Sequence, residues 1–165
     1  MQKTIAVVQC ALSAALLAVC AWITVPAAVP FTLQTLGVYL VLLLFGGRRG
    51  CVTVAVYLLL GAVGLPVFHG GTGGLSVLCG VTGGYLWGFL LAAVVYLLLA
   101  RWRVLALAVG QLLGYALGTA WFCVLSGDRF GVAFFACVLP FVLPDAAKLA
   151  LALWLAPRLK KAIKR

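Results

Sequence analysis

Long uncharged apolar runs dominate this sequence and fix its class. Only 8% of its residues are charged, 67% are apolar, and the mean hydropathy is +1.28. So few charged side chains cannot coat the surface of a soluble domain of 165 residues. A transmembrane helix needs about 20 residues, so the chain has room for about six or seven spans. The sequence therefore predicts an all-α integral membrane protein in the lipid bilayer, with no room for a soluble domain.

Basic residues and prolines divide the apolar sequence into six transmembrane helices of a single domain that covers 1–165. Pro140 and Pro144 interrupt the last apolar run, and proline is favoured in the first turn of a helix. We therefore expect the last helix to begin near Pro144, after a short partial helix. The predicted spans are 4–25, 32–46, 51–65, 81–100, 104–125 and 144–161, and the partial helix is 131–138.

The positions of the basic residues predict how these spans are oriented. With six spans, every Lys and Arg except Arg129 and Lys148 falls on one side, together with both chain ends. The positive-inside rule then places the N- and C-termini in the cytoplasm. A net charge of +10 would suggest nucleic acid in a soluble protein. Here the charges lie between spans and at the C-terminus, so we expect no nucleic-acid partner.

Motifs for catalysis, metal binding or ATP hydrolysis are missing from the sequence. It contains no GxxxxGK[ST], HExxH or GxSxG, and its six cysteines form no CxxC pair or Cys/His cluster. We therefore expect no enzymatic activity, no metal and no cofactor. Any ATPase activity must therefore reside on another chain.

Asp145 and Lys148 are the most informative residues, because ionisable groups inside a span are costly. Residues at i and i+3 share one helix face. Two interpretations remain open: an ion pair that fixes helix packing, or a site for a polar, partly anionic solute. In the second, both residues lie in the first turn of the last helix, where free N–H groups attract anions. The loops 26–31 and 66–80 are expected on the same, outer side.

Small residues recur at a spacing of four on three predicted helices, which lets helices approach closely. Glycine rows at 80, 84 and 88 and at 110, 114 and 118 favour packing within the bundle. On the first helix, an alanine face allows either packing or the docking of another membrane subunit. Its residues are Ala11, Ala15, Ala14 and Ala18.

Four motifs give the chain a specific resemblance. They are VPFTLQTLGV at 29–38, YLLLGAVGLPVF at 57–68, TGGYLWGF at 82–89 and LPFVLPDAAK at 139–148. Together they resemble the BioY family, the biotin-specific S components of energy-coupling-factor (ECF) transporters. One departure is Val81, where the family usually has proline. The resemblance implies a six-helix S-component bundle in a prokaryotic cell membrane, with an outward pocket that captures biotin as the transported ligand.

The resemblance also implies partners and site residues. The partners are a transmembrane coupling subunit and two ABC-type ATPases. Asp145 would accept hydrogen bonds from the ureido N–H groups of biotin, and Lys148 would pair with its carboxylate or donate to the ureido oxygen. For the remaining candidates, ordinary helix packing is an equal alternative; they are Tyr85, Gln34, Phe31, Thr32, Thr72, Gly83, Gly84 and Trp22. Two other functions stay open, an S component for another small vitamin and a structural membrane subunit without a ligand.

Overall fold

The computed structural model describes residues 2–26 and 29–163, and most of them are helical. Ala27 and Ala28 of the first loop, and the basic Lys164 and Arg165 used in the orientation argument, lie outside the described residues. The elements in chain order are α1 (Gln2–Trp22), β1 (Thr24–Val25), β2 (Phe31–Thr32), α2 (Gln34–Ala62), a 3-10 turn (His69–Gly71), α3 (Leu75–Cys79), α4 (Gly83–Leu98), α5 (Arg103–Ser126), α6 (Phe130–Cys137) and α7 (Leu139–Ile163).

Helix α2 folds back on itself at Gly46, where φ is +81° and the backbone leaves the helical region. Glycine tolerates this conformation because it has no Cβ. The segments 34–45 and 47–62, here called the first and second limbs, then run antiparallel. A Cβ on Gly50 would lie 2.7 Å from a Leu42 methyl carbon, which is possible only when the limbs pack side by side. The two predicted spans are therefore present, but helix resumes at Gly47 rather than at 51.

Helices α4 and α5 meet along the predicted glycine rows. A Cβ on Gly88 would lie 3.0 Å from the Cα of Gly114, and one on Gly110 would lie 3.0 Å from the Cα of Ala92. Such close backbone contact excludes larger side chains and brings the two apolar helices into tight packing. For the glycines of these rows that lie on α4 and α5 the structure supports the packing interpretation, whereas Gly80 caps α3 and packs against the Ser76 carbonyl.

The last helix begins five residues before its predicted start. Pro140 occupies the first turn of α7, where its missing N–H costs nothing. Pro144 lies inside the helix and cannot donate to the carbonyl of Pro140. Consequently Asp145 and Lys148 lie beyond the first turn, and the expectation that free N–H groups at the helix start surround them was wrong. The preceding α6 is separated from α7 by Val138.

Within the described residues, six helices form the bundle: α1, the two limbs of α2, α4, α5 and α7. Together they make a multi-pass membrane protein and confirm the predicted all-α class and helix count. A two-residue antiparallel hairpin, in which Thr24 pairs with Thr32, joins α1 to α2. Leu17, Val41, Leu42 and Leu107 are almost fully buried, whereas Val7, Leu12 and Leu112 are more than half exposed. The bundle is thus apolar on its outer surface as well as in its core, which suits a lipid environment.

Candidate functional site

A cavity lies between α2, α4, α5 and α7 and carries the charged pair on its wall. Most of the remaining wall is apolar, with a few hydrogen-bonding groups, as in pockets for small molecules. The segment before α2 and the loop before α3 also contribute to it. Its polar and aromatic lining residues are Thr32, Gln34, Thr35, Tyr39, His69, Thr82, Tyr85, Phe89, Gln111, Tyr115, Phe141, Asp145 and Lys148.

The Asp145 carboxylate is buried and accepts four hydrogen bonds. Oδ1 accepts from Thr35 Oγ1 at 2.9 Å and from Lys148 Nζ at 2.8 Å. Oδ2 accepts from Gln111 Nε2 at 3.0 Å and from the Tyr115 hydroxyl at 2.6 Å. Because four bonds use the acceptor capacity of a carboxylate, this charge is held with little freedom.

The Lys148 ammonium is equally well satisfied. Besides Asp145, it donates to the backbone carbonyl of Thr32 at 2.7 Å and to Thr35 Oγ1 at 3.0 Å, so all three of its protons are used. The Phe31 ring lies against it with its centroid 4.0 Å from Nζ, a cation–π contact. The ion pair thus ties α7 to the hairpin before α2 and to the first limb.

A second buried network surrounds Gln34 at the start of α2. Its Oε1 accepts from Thr32 Oγ1 at 3.0 Å, and its Nε2 donates to the Tyr57 hydroxyl at 2.6 Å. The Tyr57 hydroxyl in turn donates to the backbone carbonyl of Val67 at 2.9 Å. Gln34 therefore lines the cavity while its amide group is bonded within the protein.

His69 reaches the cavity from the loop before α3, outside the membrane-spanning segments. Its side chain is half-buried, and this burial lowers its pKa below the ordinary 6.5. The imidazole is therefore neutral at pH 7 and can donate or accept a hydrogen bond at the cavity edge. Thr72 stabilises the same turn by donating from Oγ1 to the His69 carbonyl at 2.8 Å.

An apolar groove on the outside of the bundle contrasts with the cavity. We call it the α1 groove; it lies between α1 and the second limb of α2, with Arg48 and Arg49 at one end and Trp22 and Pro66 at the other. The predicted alanine face is divided here. Its four residues all line the groove, but two are exposed, Ala11 and Ala15, and two are buried in the core, Ala14 and Ala18.

Comparison with known proteins assigns this arrangement to a family, since the model of the BioY family matches residues 1–165. The chain belongs to the BioY family. It is 43% identical over 157 residues to the biotin transporter BioY of Thermotoga maritima, covering 89% of this chain and 90% of that protein. Its identity to the probable biotin transporter BioY of Pyrococcus horikoshii is 40%, covering 80% of this chain and 81% of the relative.

A solved structure shares the fold of this BioY-family chain. It is the 2.1 Å crystal structure of the S-component for biotin from an ECF-type ABC transporter. The two superpose with a TM-score of 0.88 at 24% identity, and the match covers 97% of this chain and 93% of the solved chain. The six-helix bundle is therefore that of an S component.

The structure brings some of the sequence-predicted site residues of this BioY-family chain to the cavity and places others elsewhere. Asp145, Lys148, Gln34, Thr32 and Tyr85 line the cavity, and Phe31 contacts Lys148. The remaining four predicted residues are not among the lining residues. Two pack at the start of α4, Gly83 against the Leu78 carbonyl and Gly84 against Trp121. The other two are exposed; they are Trp22, which donates to the Pro66 carbonyl, and Thr72 in the loop.

Sequence reasoning missed three residues that bind the Asp145 carboxylate: Thr35, Gln111 and Tyr115. A signal for two of them was present. Gln111 and Tyr115 are spaced i and i+4 on α5, which puts two hydrogen-bonding side chains on one face of an apolar span. Among the described residues, no group of three or more His, Cys, Asp or Glu side chains is arranged to hold a metal ion.

Proposed function

We propose that this chain is the biotin-binding, substrate-capture subunit of an ECF-type vitamin uptake transporter. The cavity carries the proposal, because it places a buried Asp/Lys pair in a mostly apolar pocket of a BioY-family bundle. Biotin offers matching chemistry, namely ureido N–H and carbonyl groups, an apolar ring and chain, and a carboxylate. We propose no enzymatic step and no cofactor for this chain.

In this proposal, the charged pair binds the polar ends of the ligand. Asp145 accepts from the ureido N–H groups, and Lys148 pairs with the carboxylate or donates to the ureido oxygen. Since every polar atom of the pair already has a partner, the ligand replaces internal bonds rather than filling empty ones. Phe31 and Tyr85 pack against its apolar parts.

The energy for uptake is proposed to come from a transmembrane coupling subunit and two ABC-type ATPases. The exposed residues Ala11 and Ala15 of the α1 groove form the proposed docking surface, because small side chains allow close helix contact in lipid. Ala14 and Ala18 support this surface from within the core. We further propose that both chain ends face the cytoplasm of a prokaryotic cell, following the distribution of Lys and Arg.

Equilibrium binding of labelled biotin to the detergent-purified protein tests the ligand. We expect Asp145→Asn and Lys148→Ala each to weaken binding at least tenfold, or about 1.4 kcal/mol, which is modest for a charge-assisted hydrogen bond. The matched controls are Asp128→Asn and Lys161→Ala, which change exposed residues away from the cavity. Unchanged affinity in both cavity variants would contradict the site. Absence of biotin binding by the unmodified protein would favour another vitamin or a structural subunit.

A further inference from the structure

A continuous hydrogen-bond chain links the ion pair to the loop 66–74. Lys148 donates to the Thr32 carbonyl, and the Thr32 hydroxyl donates to Gln34 Oε1. Gln34 Nε2 donates to the Tyr57 hydroxyl, which donates to the Val67 carbonyl. Five segments thus share one bonded path: α7, the hairpin, the first limb of α2, its second limb, and the loop.

The direction of each bond in this chain is set by chemistry. Gln34 Nε2 has protons and no acceptor lone pair, so the Tyr57 hydroxyl must accept from it. The single proton of that hydroxyl is then free for the Val67 carbonyl. Because Gln34 is 4% exposed and Tyr57 1% exposed, water does not compete for these bonds. Any change that takes the Tyr57 proton elsewhere also releases Val67.

The loop beyond Val67 is anchored to the same limb. Phe68 is fully buried and meets the Tyr57 ring edge to face, with centroids 5.5 Å apart. Its ring fills the space over Gly61, where a Cβ would overlap it at 2.0 Å. The Gly74 N–H donates to the Gly61 carbonyl at 2.7 Å. These contacts hold the intervening residue His69 at the cavity.

We propose that Gln34 and Tyr57 are positioning residues that hold the loop 66–74 over the cavity and couple its opening to the contacts of Lys148. Gln34 then acts through Tyr57 rather than by touching the ligand with its amide. The anchoring of the loop stands on its own, whereas the effect on ligand release rests on the proposed biotin function.

Two variants interrupt this hydrogen-bond path in different ways. Tyr57→Phe removes only the hydroxyl and keeps the ring contact with Phe68. Gln34→Glu keeps Tyr57 but removes the N–H donor, so the Tyr57 hydroxyl donates to the new carboxylate and releases Val67. The second variant reports on the same loop if the first does not yield folded protein. Tyr96→Phe is the control, since Tyr96 is a buried tyrosine of α4 that does not line the cavity.

Hydrogen exchange followed by mass spectrometry measures the exchange rate of the loop amides in the ligand-free protein. Stopped-flow kinetics measure the association and dissociation rates of biotin. In Tyr57→Phe and Gln34→Glu we expect exchange across 66–74 to be about tenfold faster, with other segments unchanged. We expect the biotin dissociation rate to rise about tenfold and the association rate to change less than about twofold. General loss of structure would accelerate exchange throughout the chain instead.

The outcomes separate the two proposals. Wild-type exchange in the loop of both variants would overturn the anchoring role. Faster loop exchange with unchanged biotin release would overturn the coupling. If the unmodified protein binds no biotin, the proposed function fails, while the exchange data still support or overturn the role of Gln34 and Tyr57.

Discussion

The cavity and the α1 groove differ in the chemistry of their linings. In the cavity, a buried carboxylate and a buried ammonium have a partner for every polar atom. In the groove, the lining is almost entirely apolar, and the exposed Ala11 and Ala15 contribute only their small size. The cavity should therefore be sensitive to changes of charge and hydrogen bonding, and the groove to changes of volume.

The largest effect is expected from Lys148→Met, which leaves the Asp145 carboxylate buried without its counter-ion. Breaking a buried pair in this way costs about 3–5 kcal/mol, whereas replacing both partners by apolar residues is often neutral. The double variant Asp145→Leu/Lys148→Met should therefore recover part of the lost free energy of unfolding, since the buried partners of the pair lose hydrogen bonds, and still bind no biotin. Thermal unfolding in detergent and labelled-biotin binding check both parts.

The double variant also decides between the two interpretations of the pair. Recovered stability together with lost binding assigns the pair to the ligand. Retained binding would show that the pair only fixes the packing of α7, and the contrast between cavity and groove would fail.

The next effect is expected in the groove, from Ala11→Trp/Ala15→Trp. Bulk on this face should abolish co-purification with the coupling subunit and lower ATP-driven uptake at least tenfold, because helices in lipid associate through close contact. Biotin binding to the isolated chain should be unchanged. Leu12→Trp is the matched control, since Leu12 is 66% exposed on α1 but does not line the groove. Loss of biotin binding in the double variant would mean that this face packs within the bundle.

The smallest expected effect is the pH dependence of the free energy of unfolding, which again distinguishes the cavity from the α1 groove. Burial lowers the pKa of His69 below 6.5, so its imidazole binds a proton more weakly in the folded protein than in the unfolded protein. The free energy of unfolding should therefore fall as the pH drops below about 6.5, and His69→Gln should reduce this fall. Comparing the melting temperature of both proteins at about pH 7.5 and about pH 5.5 tests it. Assembly through the groove should not follow this titration, because His69 does not line the groove.

The charged pair could be found from the sequence because an ion inside an apolar run is costly wherever the helix begins. The start of α7 could not be predicted from the sequence, because Pro140 and Pro144 are both acceptable near a helix start and the choice between them depends on packing. Because the helix begins five residues earlier than predicted, its free N–H groups are not part of the site. Asp145 and Lys148 nevertheless line the cavity.

The structural role of Gln34 was also hidden from the sequence. Its partner Tyr57 becomes a neighbour only because α2 reverses direction at Gly46, and the partner of Tyr57 is a backbone carbonyl. The alanine face shows the same limit. A spacing of four identifies small residues on a helix, but the positions of the neighbouring helices decide that Ala14 is buried and Ala15 is exposed.

The fold-back at Gly46 also leaves part of the bundle shorter than the membrane is thick. Its limbs, 34–45 and 47–62, rise only about 18 Å and about 24 Å, and α4 about 24 Å, whereas the hydrocarbon core of a typical bilayer is about 30 Å thick. Tilting reduces further the distance that a helix spans across the bilayer. The mismatch between these helices and the hydrocarbon thickness must therefore be met by thinning of the surrounding lipid or by Arg48 and Arg49 extending toward the headgroups. Acyl-chain length thereby becomes a variable that acts on this protein even with no ligand in the cavity and no partner in the groove.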